Sequence, residues 1–205
     1  MPPEHLPAPF SPSPVPFPSS WTERLLARGA PAPLLDEARR LAAGIALAST
    51  FGVAIGIRLG GPAIAAHALG VVLGIAAVCG LAVPALAIVL ALANASVDAL
   101  DLSRATSRAT ATAGLLLAGF APGAALFAVT VEDAITVTIV GAAGLALAGV
   151  LGMRTFVREL APRIATSSER GRRLAKLALP LFLVFATVLA ARIWWIALPI
   201  LRGDS

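Results

Sequence analysis

Tyrosine is absent from this 205-residue chain, cysteine occurs once and histidine twice. A single Cys79 excludes a disulfide within the chain and any multi-cysteine metal site. It sits in the apolar run Gly70–Leu81, where a thiol behaves as a small hydrophobe, and no neighbouring cation favours the thiolate. His67 has only His5 as a possible co-ligand, so no metal or cofactor is expected, and its place beside Pro62 predicts an interfacial histidine. GxSxG, HExxH and P-loop signatures are missing, as is a GxGxxG opening a helix after a strand. So few acid–base groups leave little material for catalysis, and no enzyme is expected.

Charge is the larger absence. Leu41–Ile57, Leu59–Val97, Ala109–Val131 and Ala134–Met153 contain no Asp, Glu, Lys or Arg, and Leu177–Leu201 contains only Arg192. The chain is 58% hydrophobic and 13% charged, against about 25% charged in a typical soluble domain. Its mean hydropathy is +0.88. Such blocks are costly to expose to water and long enough to cross a hydrocarbon core of about 30 Å. The predicted fold is therefore all-α: a polytopic transmembrane helical bundle of about five spans, with no second soluble domain. No acidic residue falls inside any predicted span, which argues against ion-coupled transport.

Proline, arginine and small residues are what the chain has in quantity. Residues 1–20 carry eight prolines and read as a disordered cytoplasmic tail; the Pro9–Pro12 PxxP lacks a nearby cation to orient it as a ligand. This segment has neither the basic start nor the apolar core of a secretory signal, so the first span is expected to act as its own insertion signal. Residues 21–40 read as an amphipathic interfacial segment: Ser20 and Glu23 frame a capping box, and Trp21, Leu25 and Leu26 share one face of a short helix while Arg24 and Arg28 share another. Residues 41–201 form the transmembrane domain, with spans at about 41–57, 66–93, 109–131, 134–153 and 177–201, and 202–205 are a short tail.

The net charge is +5 and the isoelectric point about 11.2. The cations flank apolar blocks and form no patch interleaved with aromatics, which points to anionic headgroups at the cytoplasmic face and away from nucleic acid. Leu59–Val97 is 39 residues, about 58 Å as a helix, so it is either one kinked crossing or a hairpin. The positive-inside rule decides. With Glu132-Asp133 outside and one crossing kinked at Pro84, every Lys and Arg except Arg58, Arg192 and Arg202 lies inside. A hairpin would put Arg24, Arg28, Arg39 and Arg40 outside. One Lys against fifteen Arg, with abundant Ala and Gly, suggests GC-rich codons and hence the inner membrane of a bacterium, N-terminus cytoplasmic.

Gly44, Ala48, Gly52, Gly56 and Gly60 recur every four residues, the spacing that lets helix backbones approach in lipid. Gly70 and Gly74 repeat it on the second span, Gly119 and Gly123 on the third. The most functional-looking polar group is Asn94, Asp98, Asp101 and Arg104, where a helix would pair Asp101 with Arg104 and place both aspartates on one face. Arg192 beside Trp194 and Trp195 reads as an interfacial arginine at an aromatic belt. The function expected is a structural, adaptor or assembly subunit, with membrane or cytoplasmic protein partners. The alternative is a small transporter using helices broken at Pro84 and Pro122. In span count and proline-rich arm the layout resembles the Yip-type membrane proteins, a likeness of architecture over Pro33–Leu201 that implies no activity.

Overall fold

The computed structural model describes residues 34–198, all of them in helices or short turns. The expected tail 1–20, the segment 21–33 with Trp21, and residues 199–205 lie outside the described residues. Five helices follow in order: α1 (Leu34–Gly56), α2 (Pro62–Leu92), α3 (Ala99–Thr130), α4 (Ala134–Ala165) and α5 (Glu169–Ala197). Each is long and apolar enough to cross a membrane. Their starts follow local chemistry. Asp36 and Glu37 place negative charge on the first turn of α1. Gly60 and Gly61 take φ values of 66° and 51°, which favour glycine, and deliver the chain to Pro62 at the head of α2. Asp98, Asp133 and Ser168 cap α3, α4 and α5, each side chain accepting a hydrogen bond from an exposed amide of the first turn.

Leu59–Val97 crosses the bundle once. Pro84 offers no N–H and its ring would clash with the carbonyl a turn earlier. The helix absorbs this in a π turn over Val78–Ala82, where the Val83 amide bonds to the Val78 carbonyl. The hairpin alternative is excluded by this continuity.

The helices are longer than the spans drawn from charge. α1 begins at Leu34 and takes in the last residues of the expected interfacial segment. α2 begins at Pro62 instead of 66, and α3 at Ala99 instead of 109. α4 runs to Ala165 instead of 153. α5 begins at Glu169 instead of 177, its described helix ending at Ala197. The expected basic loop 153–176 shrinks to the turn Thr166–Ser168. The reason is that Arg, Glu and Leu are good helix formers, so a charged stretch ends an apolar block without ending the helix. The Glu169–Arg173 pair, four apart, supports the first turns of α5.

α1 packs along α3 and α2, α3 along α4, and α2 along α5. The ring is closed weakly between α4 and α5, where Phe156 and Phe182 stack with centroids 5.3 Å apart. Two apolar clusters fill the interior. One, around Phe51, Val71, Leu117 and Leu145, lies toward the end bearing Arg58. The other, around Leu90, Leu102, Phe156, Leu160 and Phe182, lies toward the opposite end. The outside is apolar as well: Leu92, Leu181, Leu177 and Ile135 are 83%, 72%, 71% and 70% exposed. A soluble monomer rarely displays so continuous an apolar surface. Among the described residues every Lys and Arg other than Arg58 and Arg192 lies in the half holding the second cluster, termed below the basic end.

Candidate functional site

The small-residue ridge of α1 serves two neighbours. A Cβ added to Gly44 would stand 2.8 Å from the Ala111 amide and the Thr110 carbonyl of α3. One added to Gly52 would stand 2.7 Å from the Ala68 Cα, and one on Gly56 2.8 Å from the Ile64 Cα, both on α2. Ala48 between them is fully buried. Gly60 is not part of the ridge: it has no neighbour within 4 Å and serves the turn through its positive φ. Gly70 and Gly74 face α5, Gly70 beneath Leu198 and the Ala197 carbonyl, Gly74 beneath the Trp194 indole. Gly119 and Gly123 meet nothing and face outward, so their spacing carries no helix contact. The close approach at Gly52 and Gly56 also encloses His67, which is 0% exposed where an interfacial position was expected. Its Nδ1 donates to the Ala63 carbonyl at 2.7 Å.

The basic end carries a charged network that spans three helices. Glu37 of α1 is 3% exposed, accepts from the Ser107 hydroxyl of α3 and pairs with Arg40 at 3.2 Å. Arg108 of α3 pairs with Glu159 of α4. Asp101 of α3 lies 3.1 Å from Arg163 of α4 and 4.0 Å from Arg104. The four residues singled out in sequence therefore do not form one site. Asp98 uses a carboxylate oxygen to cap the Asp101 amide at 2.7 Å, and Asn94 is an exposed turn residue with φ 53°. Among their side chains only those of Asp101 and Arg104 pair, and Asp101 is neutralised by two guanidiniums. Glu37, Ser107 and Glu159 were missed because they lie beside the charge-free blocks, not in them. The i, i+3 pair Glu37–Arg40 was the available signal.

At the opposite end Arg58 donates to the Val131 and Glu132 carbonyls, tying the α1–α2 turn to the α3–α4 turn. Asp133 accepts from the Thr136 hydroxyl and from the Thr136 and Ile135 amides. These bonds, and to a lesser degree the charge of Arg58, hold its carboxyl below the ordinary carboxylate range. A lowered folded pKa gives stability that is full above the unfolded value and is lost as pH falls through the folded one. The α4 cap is therefore expected to persist at pH 4 and fray below it. A carboxyl chemical-shift titration of Asp133 reads this, and an ordinary midpoint would contradict it.

The weak α4–α5 seam leaves a cavity of about 920 Å³. Ala142, Ala146 and Gly149 of α4 face Ala186, Ala190 and Ala191 of α5 across it, side chains too short to meet. Its floor is Val78, Cys79 and Val83 at the π turn of α2, with Thr110 and Ala113 of α3. Cys79 lies 3.9 Å from the Thr110 hydroxyl, the strongest polar partner on that floor. Trp194 and Trp195 stand at one end of the cavity, and Arg154 and Arg158 at the basic end. The wall between is almost wholly apolar, with scattered threonines at positions 106, 110, 138 and 187. The indole Nε1 of Trp194 is buried against Gly74 without a hydrogen-bond partner. Trp195 and Arg192 are exposed beside it. Among the described residues no three His, Cys, Asp or Glu side chains converge. Compared with known proteins, the chain matches no family model, no curated protein and no solved structure.

Proposed function

We propose that this chain is a multi-pass protein of a bacterial inner membrane that acts as a non-catalytic structural or assembly subunit, with its N-terminus and basic end in the cytoplasm. The observation that carries the reading is the sorting of its surface. All five helices expose large aliphatic side chains, and the described cations other than Arg58 and Arg192 gather at one end. Lipid contact and the positive-inside rule account for that pattern together. The internal polar groups are committed to tying helices to one another, at Glu37–Ser107, Arg108–Glu159 and Asp101–Arg163. A carrier for hydrophilic solutes needs a polar path to mid-membrane. The cavity beside Pro84 is lined by Val78, Val83, Leu145 and Ala186, which weighs against that alternative.

Topology is tested by cysteine labelling in a Cys79→Ala background. Glu132→Cys is expected to react from outside only and Thr166→Cys from the cytoplasm only, both positions being exposed. Labelling of both from one side would sink the five-crossing layout. The subunit role is tested by native electrophoresis of gently solubilised membranes. The tagged chain is expected in a particle with a stoichiometric protein partner, and a lone monomer would count against it.

A further inference from the structure

We infer that the lateral cavity between α4 and α5 is a binding site for an anionic phospholipid drawn from the leaflet at the basic end, its acyl chain lying in the groove and its phosphate held by Arg154 and Arg158. The inference rests on the membrane reading above and adds a ligand to it. Two independent features point to this occupant.

The first is size and polarity. A volume of about 920 Å³ falls in the range of about 300–1,000 Å³ typical of small-ligand sites. The lining is apolar from Ile139 through Leu145 and Gly149 to Met153, and the threonines at 106, 138 and 187 direct their hydroxyls to carbonyls of their own helices, so a hydrocarbon chain lies against paired or apolar groups along it. Phe156 and Phe182, stacked with centroids 5.3 Å apart, are among its lining residues.

The second is charge. Arg154 and Arg158 are one helical turn apart on α4, line the cavity, and are exposed. Among the described residues neither makes an ion pair, although Arg40, Arg104, Arg108, Arg163 and Arg173 all do. Arg154 lies twenty residues beyond Ala134, about 30 Å along the axis, which is the depth of the hydrocarbon core. Its guanidinium therefore falls where acyl chain gives way to phosphate, and Arg158 lies in the headgroup layer. Guanidiniums bind phosphate through paired N–H donors, so two of them at a groove mouth suit one phosphodiester.

The test uses the full chain in vesicles of equal phosphatidylglycerol and phosphatidylcholine, released into mild detergent and weighed by native mass spectrometry. The wild type is expected to retain one phosphatidylglycerol with a preference of roughly 30-fold over phosphatidylcholine, the effect of two basic side chains on a net-anionic headgroup, since the choline cation offsets the phosphate charge in phosphatidylcholine. Arg154→Gln with Arg158→Gln is expected to bring that preference close to parity. Gly149→Trp is expected to remove bound lipid of either kind, since Gly149 lines the groove and a Cβ there meets nothing within 4 Å, which leaves the groove as room for the indole. No preference in the wild type, or full retention in both variants, would overturn the site. So would a dimer that Gly149→Trp converts to monomer, which would assign the groove to a second copy. A chain released by alkaline carbonate without detergent would overturn the membrane reading and the site with it. A carbonate-resistant chain without bound lipid would overturn the site alone.

Discussion

Gly114→Leu is expected to leave almost no folded protein, while Gly123→Leu on the same helix accumulates as the wild type does. A Cβ on Gly114 would be driven into the Gly44 carbonyl, with the Gly44 carbonyl carbon at 2.8 Å and its Cα at 2.9 Å. Overpacking of an ordinary core costs about 1–3 kcal/mol because side chains can shift. Here the obstacle is backbone on both sides, so α1 and α3 must separate. Separation forfeits close contact along the longest seam of the bundle, and dispersion at short range is what holds apolar helices together in lipid. A loss above about 3 kcal/mol lowers the folded-to-unfolded ratio more than 100-fold, a large share of a typical stability. Gly123 has no neighbour within 4 Å, so leucine there meets no backbone and gains helix propensity of up to about 1 kcal/mol. The monodisperse fraction after detergent extraction, with the midpoint of thermal unfolding, reads both variants. Equal yields and midpoints would refute the claim that this seam is held by glycine.

The same pair of glycines marks how far the sequence could be read. Spacing alone gave Gly119 and Gly123 the same standing as Gly44 and Gly52. The distinction between them is tertiary: α3 turns its Gly114 side to α1 and its Gly123 side outward. The five helices and the single crossing of Leu59–Val97 were legible because both follow from one-dimensional quantities, block length and the side on which cations fall. Helix ends were not, since the charged stretches 154–165 and 169–176 hold good helix formers that continue the helices past the apolar blocks. The same continuation explains Glu37 and Glu159. Each sits a turn or more beyond an uncharged block, where burial depends on which helix lies opposite. His67 was misplaced for a related reason, because its enclosure comes from the missing side chains of Gly52 and Gly56 on α1. The α4–α5 groove left only a faint trace in sequence. Ala142, Ala146 and Gly149 look like a packing face, and only their lack of a partner turns them into a cavity.

Glu159→Ala is expected to destabilise the bundle by about 3 kcal/mol, and a second change, Arg108→Leu, is expected to restore most of that loss. The side chains of Arg108 and Glu159 are 13% and 16% exposed, well short of a solvated surface pair. Exposed ion pairs contribute about 0–1 kcal/mol, whereas removing one partner of a buried pair costs about 3–5 kcal/mol because the other charge is stranded. The decisive detail is the Arg108 Nε, which is buried and has no other partner. An arginine at a membrane rim can ordinarily snorkel to the headgroups and lose little. With the inner part of its guanidinium already enclosed between α3 and α4, Arg108 cannot reach water without leaving the seam. Replacing both residues removes the stranded charge and leaves only the cost of the volume lost at the two positions, so the double variant should sit within about 1–2 kcal/mol of the wild type. The coupling across the cycle is therefore large and favourable. Thermal unfolding of the wild type, the two single variants and the double variant measures it. A single-variant loss below about 1 kcal/mol would mean that Arg108 snorkels after all, and that α3 and α4 are joined at this end by the packing of Leu102, Ala105 and Phe156 and by the Asp101–Arg163 pair.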